Sequence, residues 1–82
     1  MVDVAKLLGE LKFGPVMITY KHWRKETELR IVATLQESIT ETKLTQDPLS
    51  SVIVVYDVVA GIWEDIRVDT IISYNPIEKP EG

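Results

Sequence analysis

The sequence predicts a mainly β (α+β) domain: a small five-stranded antiparallel barrel that is partly open, with one N-terminal helix. Its 82 residues are enough for one small hydrophobic core. Apolar and polar residues alternate in short segments after Pro15, whereas a 3.6-residue apolar period occurs only before it. A flat sheet of five short strands would expose its edges, and partial closure into a barrel reduces that exposure.

The helix is predicted over residues 3–13. Its apolar residues recur on one helical face: Val4, Leu7, Leu8 and Leu11. Asp3 is a suitable N-cap, and Gly14-Pro15 is a stop signal. We expect this helix to cover an open end or face of the sheet. A helix that docks on a membrane surface or on a partner is the alternative.

Two strands follow, over residues 16–23 and 28–36, and form an antiparallel hairpin around residues 24–27. In the first strand one face carries Val16, Ile18 and Tyr20. In the second, the inward positions are Leu29, Ile31, Ala33 and Leu35, and the outward ones are Glu28, Arg30, Thr34 and Gln36. The alternation predicts that one face of the hairpin lies on the core.

Residues 37–51 are polar and predict a long irregular loop. Residues 51–56 are apolar on both faces, which predicts the central strand of the sheet. Gly61 permits a tight turn before a strand over residues 62–67.

A short turn or 3₁₀ helix over residues 68–70 then leads to a closing strand over 71–74. Residues 1–75 therefore form one domain, and the proline-containing residues 76–82 form a flexible tail.

The composition predicts a protein without catalytic function or cofactor. There is no cysteine and only one histidine, so cysteine-rich or histidine-rich metal sites are excluded. The carboxylates closest in sequence are Asp57, Glu64, Asp65 and Asp69, but Glu64 and Asp65 point to opposite faces of a strand. We expect these charges to solvate a hairpin, and we predict no metal site.

The chain shows neither a signal-peptide pattern nor an apolar run of about 18 residues. We therefore expect a cytoplasmic protein without a membrane partner. Its 13 acidic and nine basic side chains give a net charge of −4, which disfavours general affinity for nucleic acid.

Three segments resemble small bacteriophage-type SH3-like β-barrel domains, a family without an established activity. The segments are V-x-I-T-Y (from Val16 to Tyr20), E-L-R-I-x-A-T-L (from Glu28 to Leu35) and V-Y-D-x-x-x-G-x-W-x-D-I-R (from Val55 to Arg67). The resemblance covers residues 16–75. It implies an SH3-like fold and a viral protein that works in the cytoplasm of a bacterial host.

The candidate binding site is a basic and aromatic hairpin tip, with one more cation on the returning strand. Its residues are Lys21, His22, Trp23, Arg24, Lys25 and Arg30. Exposed aromatic side chains stack on bases or grip peptides, while Lys and Arg bind phosphate or carboxylate. Alternatively, Trp23 folds over the barrel end and the charges only solvate a turn. Trp63 is predicted in the core rather than on an exposed platform.

Two functions remain open. The first is a non-catalytic protein-interaction module, a phage accessory factor that binds a host or phage protein. The second is a nucleic-acid-binding regulatory barrel that uses the hairpin tip. Self-association into a homo-oligomer through an uncovered strand edge is a further possibility.

Overall fold

The computed structural model describes residues 2–22, 24, 27–42 and 46–77. In chain order the elements are α1 (Val4–Phe13), β1 (Val16–Lys21), β2 (Glu28–Thr34), the one-turn helix α2 (Glu37–Thr40), β3 (Val52–Asp57), β4 (Ile62–Arg67), a 3₁₀ turn (Val68–Thr70) and β5 (Ile71–Pro76). The predicted fold class, mainly β with five antiparallel strands and an N-terminal helix, is confirmed.

The sheet has the strand order β4-β3-β2-β1-β5, and all neighbours are antiparallel. β1 pairs along its length with β2 on one side and with β5 on the other. β2 and β3 share only two register pairs, Ala33 with Asp57 and Thr34 with Tyr56. In the described part of the chain, the end strands β4 and β5 do not pair with each other, so the SH3-like barrel is open there.

The core lies between the inward faces of the strands and one face of α1. Its buried apolar residues are Leu7, Leu8, Leu11, Val16, Ile18, Tyr20, Ala33, Leu35, Ile53, Val55, Ile66 and Ile71. Because three of them come from α1, the helix packs on the sheet, as predicted. The carboxylate of Asp3 caps the helix by accepting a hydrogen bond from the Lys6 backbone N–H at 3.1 Å.

The end of α1 is fastened to the end of β2. The carbonyl of Leu11 accepts hydrogen bonds from the Leu35 N–H at 2.9 Å and from the Thr34 hydroxyl at 3.2 Å. The Gln36 side-chain amide donates to the Phe13 carbonyl at 2.9 Å. The prediction that Thr34 faces solvent was therefore wrong, because its hydroxyl is buried against the helix.

The prediction that residues 51–56 form the central strand was also wrong. β3 is second from the edge, and β2 is central. Val52 is 38% exposed, although its pattern resembled that of a strand buried on both faces. Where β3 has no hydrogen-bonding partner in β2, the side chain of Gln46 takes the place of that strand. The amide accepts from the Val54 N–H at 2.7 Å and donates to the Val54 carbonyl at 2.6 Å.

The connection over residues 37–51 is less irregular than predicted, because it begins with α2. This turn ends at Glu41, whose φ of 58° is left-handed. Of the predicted tail, Pro76 belongs to β5, and the Ile77 N–H donates to the Pro15 carbonyl at 2.9 Å. Residues 78–82 lie outside the described residues.

The β3–β4 turn depends on Asp57, which is buried rather than solvated as predicted. Its carboxylate accepts hydrogen bonds from the backbone N–H groups of Val59 and Ala60, both at 3.0 Å. Gly61 follows with a φ of 71°, a conformation that disfavours residues with a Cβ. The turn prediction at Gly61 is confirmed, and Asp57 has a structural role.

We predict that Thr34→Val lowers the free energy of unfolding by about 1–3 kcal/mol, because a buried hydrogen-bonding group loses its partner. The Thr34 hydroxyl also accepts from the Gln36 N–H at 3.1 Å, and valine cannot replace it. Urea unfolding of both proteins measures the difference. Thr19→Val, on the outward face of β1, is the matched control and should change stability by less than about 0.5 kcal/mol. Equal effects at the two positions would contradict the role of the junction.

Candidate functional site

The hairpin tip is organised by His22. Its N–H donates to the Thr27 carbonyl at 3.3 Å and extends the β1–β2 pairing by one step. Its Nδ1 accepts a hydrogen bond from the Arg24 N–H at 3.1 Å. His22 thus contributes to the shape of the turn as well as to its surface.

The structure describes four of the six predicted binding residues, Lys21, His22, Arg24 and Arg30. Lys21 and Arg24 are exposed at the tip, whereas Arg30 lies opposite Thr19, on the outward face of the sheet. Trp23 and Lys25 lie outside the described residues. The predicted patch is therefore seen only in part. Lys21 and Arg30 share the outward face of the hairpin, because Lys21 lies two residues after Thr19, the register partner of Arg30.

Beside the hairpin tip lies a cleft of about 220 Å³. We call it the tip cleft, and it is lined by Tyr20, Lys21, His22, Val52, Glu64, Asp65, Ile66, Arg67 and Thr70. One wall is the end of β1 and the start of the tip, and the other is β4. Two predicted site residues, Lys21 and His22, therefore line a concave surface.

The two walls differ in charge. Lys21 and His22 lie on the β1 wall, and Glu64 and Asp65 lie on the β4 wall. On the β4 wall, Arg67 is already paired with Asp69 at 3.3 Å. Among the described residues, no cation forms an ion pair with Glu64 or Asp65, the two carboxylates of β4.

Tyr20 contributes a buried ring to the tip cleft and is 8% exposed. Burial is the main reason why the pKa of its hydroxyl is raised above the usual 10.0, and the negative charges of Glu64 and Asp57 raise it further. Tyr20 therefore stays neutral at physiological pH and presents a hydroxyl beside Glu64.

Sequence reasoning missed the β4 wall. Glu64 and Asp65 are neighbouring acids in the sequence, and the sequence predicts them only as solvating charges of a hairpin. They line a cleft with residues of β1 only because the barrel curves, and no local pattern contains that contact. Residues 62–67 were correctly predicted as a strand.

Trp63 was predicted in the core, and this was wrong. It is 39% exposed and lies on the outward face opposite Tyr56, with which it forms an edge-to-face pair with ring centroids 5.4 Å apart. Its register explains the error, since Ile62, Glu64 and Ile66 take the inward positions of β4 opposite buried residues of β3.

A second concave surface lies at the opposite end of the barrel. It has a volume of about 520 Å³ and is lined by Glu10, Phe13, Gly14, Pro15, Gln36, Pro76 and Ile77. Its lining is largely apolar, and Phe13 is 86% exposed. Within the described residues, no group of three or more His, Asp or Glu side chains is placed to hold a metal ion.

Comparisons of the chain with protein-family models, with curated proteins and with solved structures gave no match. The resemblance to bacteriophage-type domains therefore stays a prediction from the sequence. None of the helices in the described part of the chain is long and apolar enough to span a bilayer.

We predict that the folded protein loses stability as the pH rises above 10, in part through Tyr20. The unfolded chain releases the tyrosine proton near pH 10, whereas the folded chain retains it to higher pH. The stability that Tyr20 contributes to the folded protein is therefore complete below pH 10. It is lost as the pH rises through the pKa that Tyr20 has in the folded state. Urea unfolding on both sides of pH 10 measures it.

Tyr20→Phe should show a shallower decline than the unmodified protein, because it has no proton to release. Glu64→Gln should also reduce the slope, since it removes one of the charges that raise the pKa. If Tyr20→Phe declines as steeply as the unmodified protein, Tyr20 does not contribute to the pH dependence.

Proposed function

We propose that the protein is a non-catalytic interaction module that binds a protein partner at the hairpin tip and the adjoining tip cleft. The observation that supports this proposal is the opposite charge of the two cleft walls. A protein segment carries both charges and neutral groups, so it can complement Lys21 on one wall and Glu64 and Asp65 on the other. In line with the sequence resemblance, we propose that the partner is a host or phage protein.

Binding of nucleic acid is the second candidate, because Lys21, Arg24 and Arg30 are exposed cations near the same end of the hairpin. The tip cleft argues against it. A phosphate backbone that entered the cleft would approach the carboxylates of Glu64 and Asp65, and the net charge of −4 adds to the repulsion. We therefore favour a protein partner.

The test is capture of partners from bacterial lysate by tagged protein, with and without nuclease, followed by mass spectrometry. We expect a protein partner that is retained after nuclease treatment. Lys21→Glu should reduce its recovery about tenfold, because a charge that faces the partner is reversed. Lys6→Glu is the matched control, since it makes the same charge change on the exposed face of α1 and should leave recovery unchanged.

Oligonucleotide binding gives the opposing result. If the protein binds single-stranded DNA at low salt, and if Arg24→Glu/Lys25→Glu abolishes this binding, the nucleic-acid function replaces the one we propose. Partners that disappear with nuclease would lead to the same conclusion.

A further inference from the structure

We infer that the outer edge of β4 is a docking site for an extended segment of a partner protein, which adds to the sheet as a sixth strand and carries Lys or Arg side chains. This inference rests on the proposed function, because it specifies how the partner binds at the tip cleft. Four steps support it: the direction of the backbone groups, the shape of the cleft, the state of the other edges and the charge.

The backbone of β4 has hydrogen-bonding groups that point away from the sheet. In an antiparallel pair, successive residues direct their N–H and C=O groups alternately toward and away from the neighbouring strand. Val54 of β3 directs its groups to Gln46 and not to β4. Its register partner Asp65 therefore also directs its backbone N–H and C=O away from the neighbouring strand, and so do Trp63 and Arg67.

A second backbone hydrogen bond agrees with this alternation. The Val68 N–H, one residue beyond β4, donates to the Ser51 carbonyl at 2.9 Å, so Val68 points toward β3. By alternation the backbone groups of Ile66 and Glu64 also point toward β3. Those of Trp63, Asp65 and Arg67 again point to the open edge of β4. In the described part of the chain no strand pairs with this edge.

The tip cleft follows that edge. Side chains of successive strand residues point to opposite faces of a sheet, yet Glu64, Asp65, Ile66 and Arg67 all line the cleft. Consecutive residues line one cleft when it runs along the strand's edge, and Val52 of β3 adds to the lining beside its register partner Arg67. Four residues of strand extend about 13 Å, which gives a partner segment a row of several backbone groups.

The other open edges are less suitable for strand addition. β5 has a shift of register between Thr19 and Tyr20 of its neighbour, and it ends in Pro76, which has no N–H. β2 is open on its β3 side only before Ala33, where pairing with β3 begins. β4, in contrast, keeps one register along its six residues and contains neither proline nor glycine.

Charge selects the occupant. The Glu64 side chain lies on the inward face of the sheet and the Asp65 side chain on the outward face. An added strand would therefore meet a carboxylate on each of its faces. Lys or Arg side chains at neighbouring positions of the partner would satisfy both. A second copy of β4 would place like charges opposite each other in the symmetric registers centred on Glu64 or Asp65. A register centred on Ile66 would set Asp65 opposite Arg67, but Arg67 is already paired with Asp69. The edge therefore favours a basic segment over self-association.

The experiment uses a synthetic peptide of about ten residues in which Lys and Val alternate, a length typical of a long strand. Amide hydrogen exchange of the full-length protein is followed by NMR. We expect the peptide to slow exchange at Trp63, Asp65 and Arg67 at least about tenfold. The Glu64 and Ile66 amides, which already bond to β3, serve as internal controls and should change little.

Three matched reagents sharpen the result. A peptide with Glu in place of Lys should bind at least about tenfold more weakly. Methylation of the peptide nitrogens that face β4 should abolish binding, whereas methylation of the alternate nitrogens should not. Asp65→Pro removes one outward N–H together with the Asp65 carboxylate, without breaking the β3–β4 pairing, and should weaken binding at least about fivefold. Asp65→Lys should weaken binding more than Asp65→Pro. Glu37→Lys, near the opposite barrel end, is the control for Asp65→Lys.

Several outcomes would overturn the inference: no binding of the basic peptide at millimolar concentration, equal binding of the acidic peptide, or binding without slower exchange at the three outward amides. Exchange that slows with protein concentration alone would show that a second copy occupies the edge. A lysate partner that Asp65→Pro retains and Lys21→Glu loses would refute strand addition and leave the proposed function intact. Loss of every protein partner after nuclease would refute both.

Discussion

The attachment of α1 to the end of β2 is the constraint on which the rest of the structure depends. The last carbonyl groups of a helix have no partners within the helix. Here β2 and the residues after it supply donors to the Leu11 and Phe13 carbonyls. The junction orients α1 so that Leu7 and Leu11 are fully buried. It also fixes where the chain leaves the helix and, after Gly14-Pro15, where β1 begins.

The position of β1 in turn determines the tip cleft. β1 pairs with β2 over all six of its residues and with β5 from Val16 to Tyr20, and its far end supplies Tyr20 and Lys21 to the cleft. The opposite wall, β4, is reached through β3, which joins β2 by only two register pairs. One wall thus belongs to the best-connected strand, and the other belongs to an edge strand. A cleft with one firm wall and one open edge is suited to a segment that adds to the sheet.

The sequence predicted the local structure well, because strand alternation and helix capping depend on near neighbours. Asp3, Gly61 and the inward faces of β1 and β2 were all correctly assigned. Two of the errors share a cause: Thr34 and Trp63 take positions that depend on contacts with other elements. Asp57 differs, because its carboxylate bonds to backbone N–H groups of its own turn. Thr34 looks like a solvent-facing residue of a strand until the helix is placed against it.

For the same reason, the sequence predicted residues of only one wall of the tip cleft, the β1 wall. Lys21 and His22 adjoin in the chain, so their clustering was visible. Their approach to Glu64 and Asp65 depends on how the sheet curves, and curvature comes from the twist and pairing of all strands together.

The Gln46 side chain has a consequence for how the chain tolerates changes in length. By bonding both backbone groups of Val54, it sets the point at which the preceding connection ends and β3 is held. Residues inserted or deleted between Gln46 and Val52 would shift the strand relative to that anchor. This part of the connection between the two halves of the barrel therefore has a fixed length.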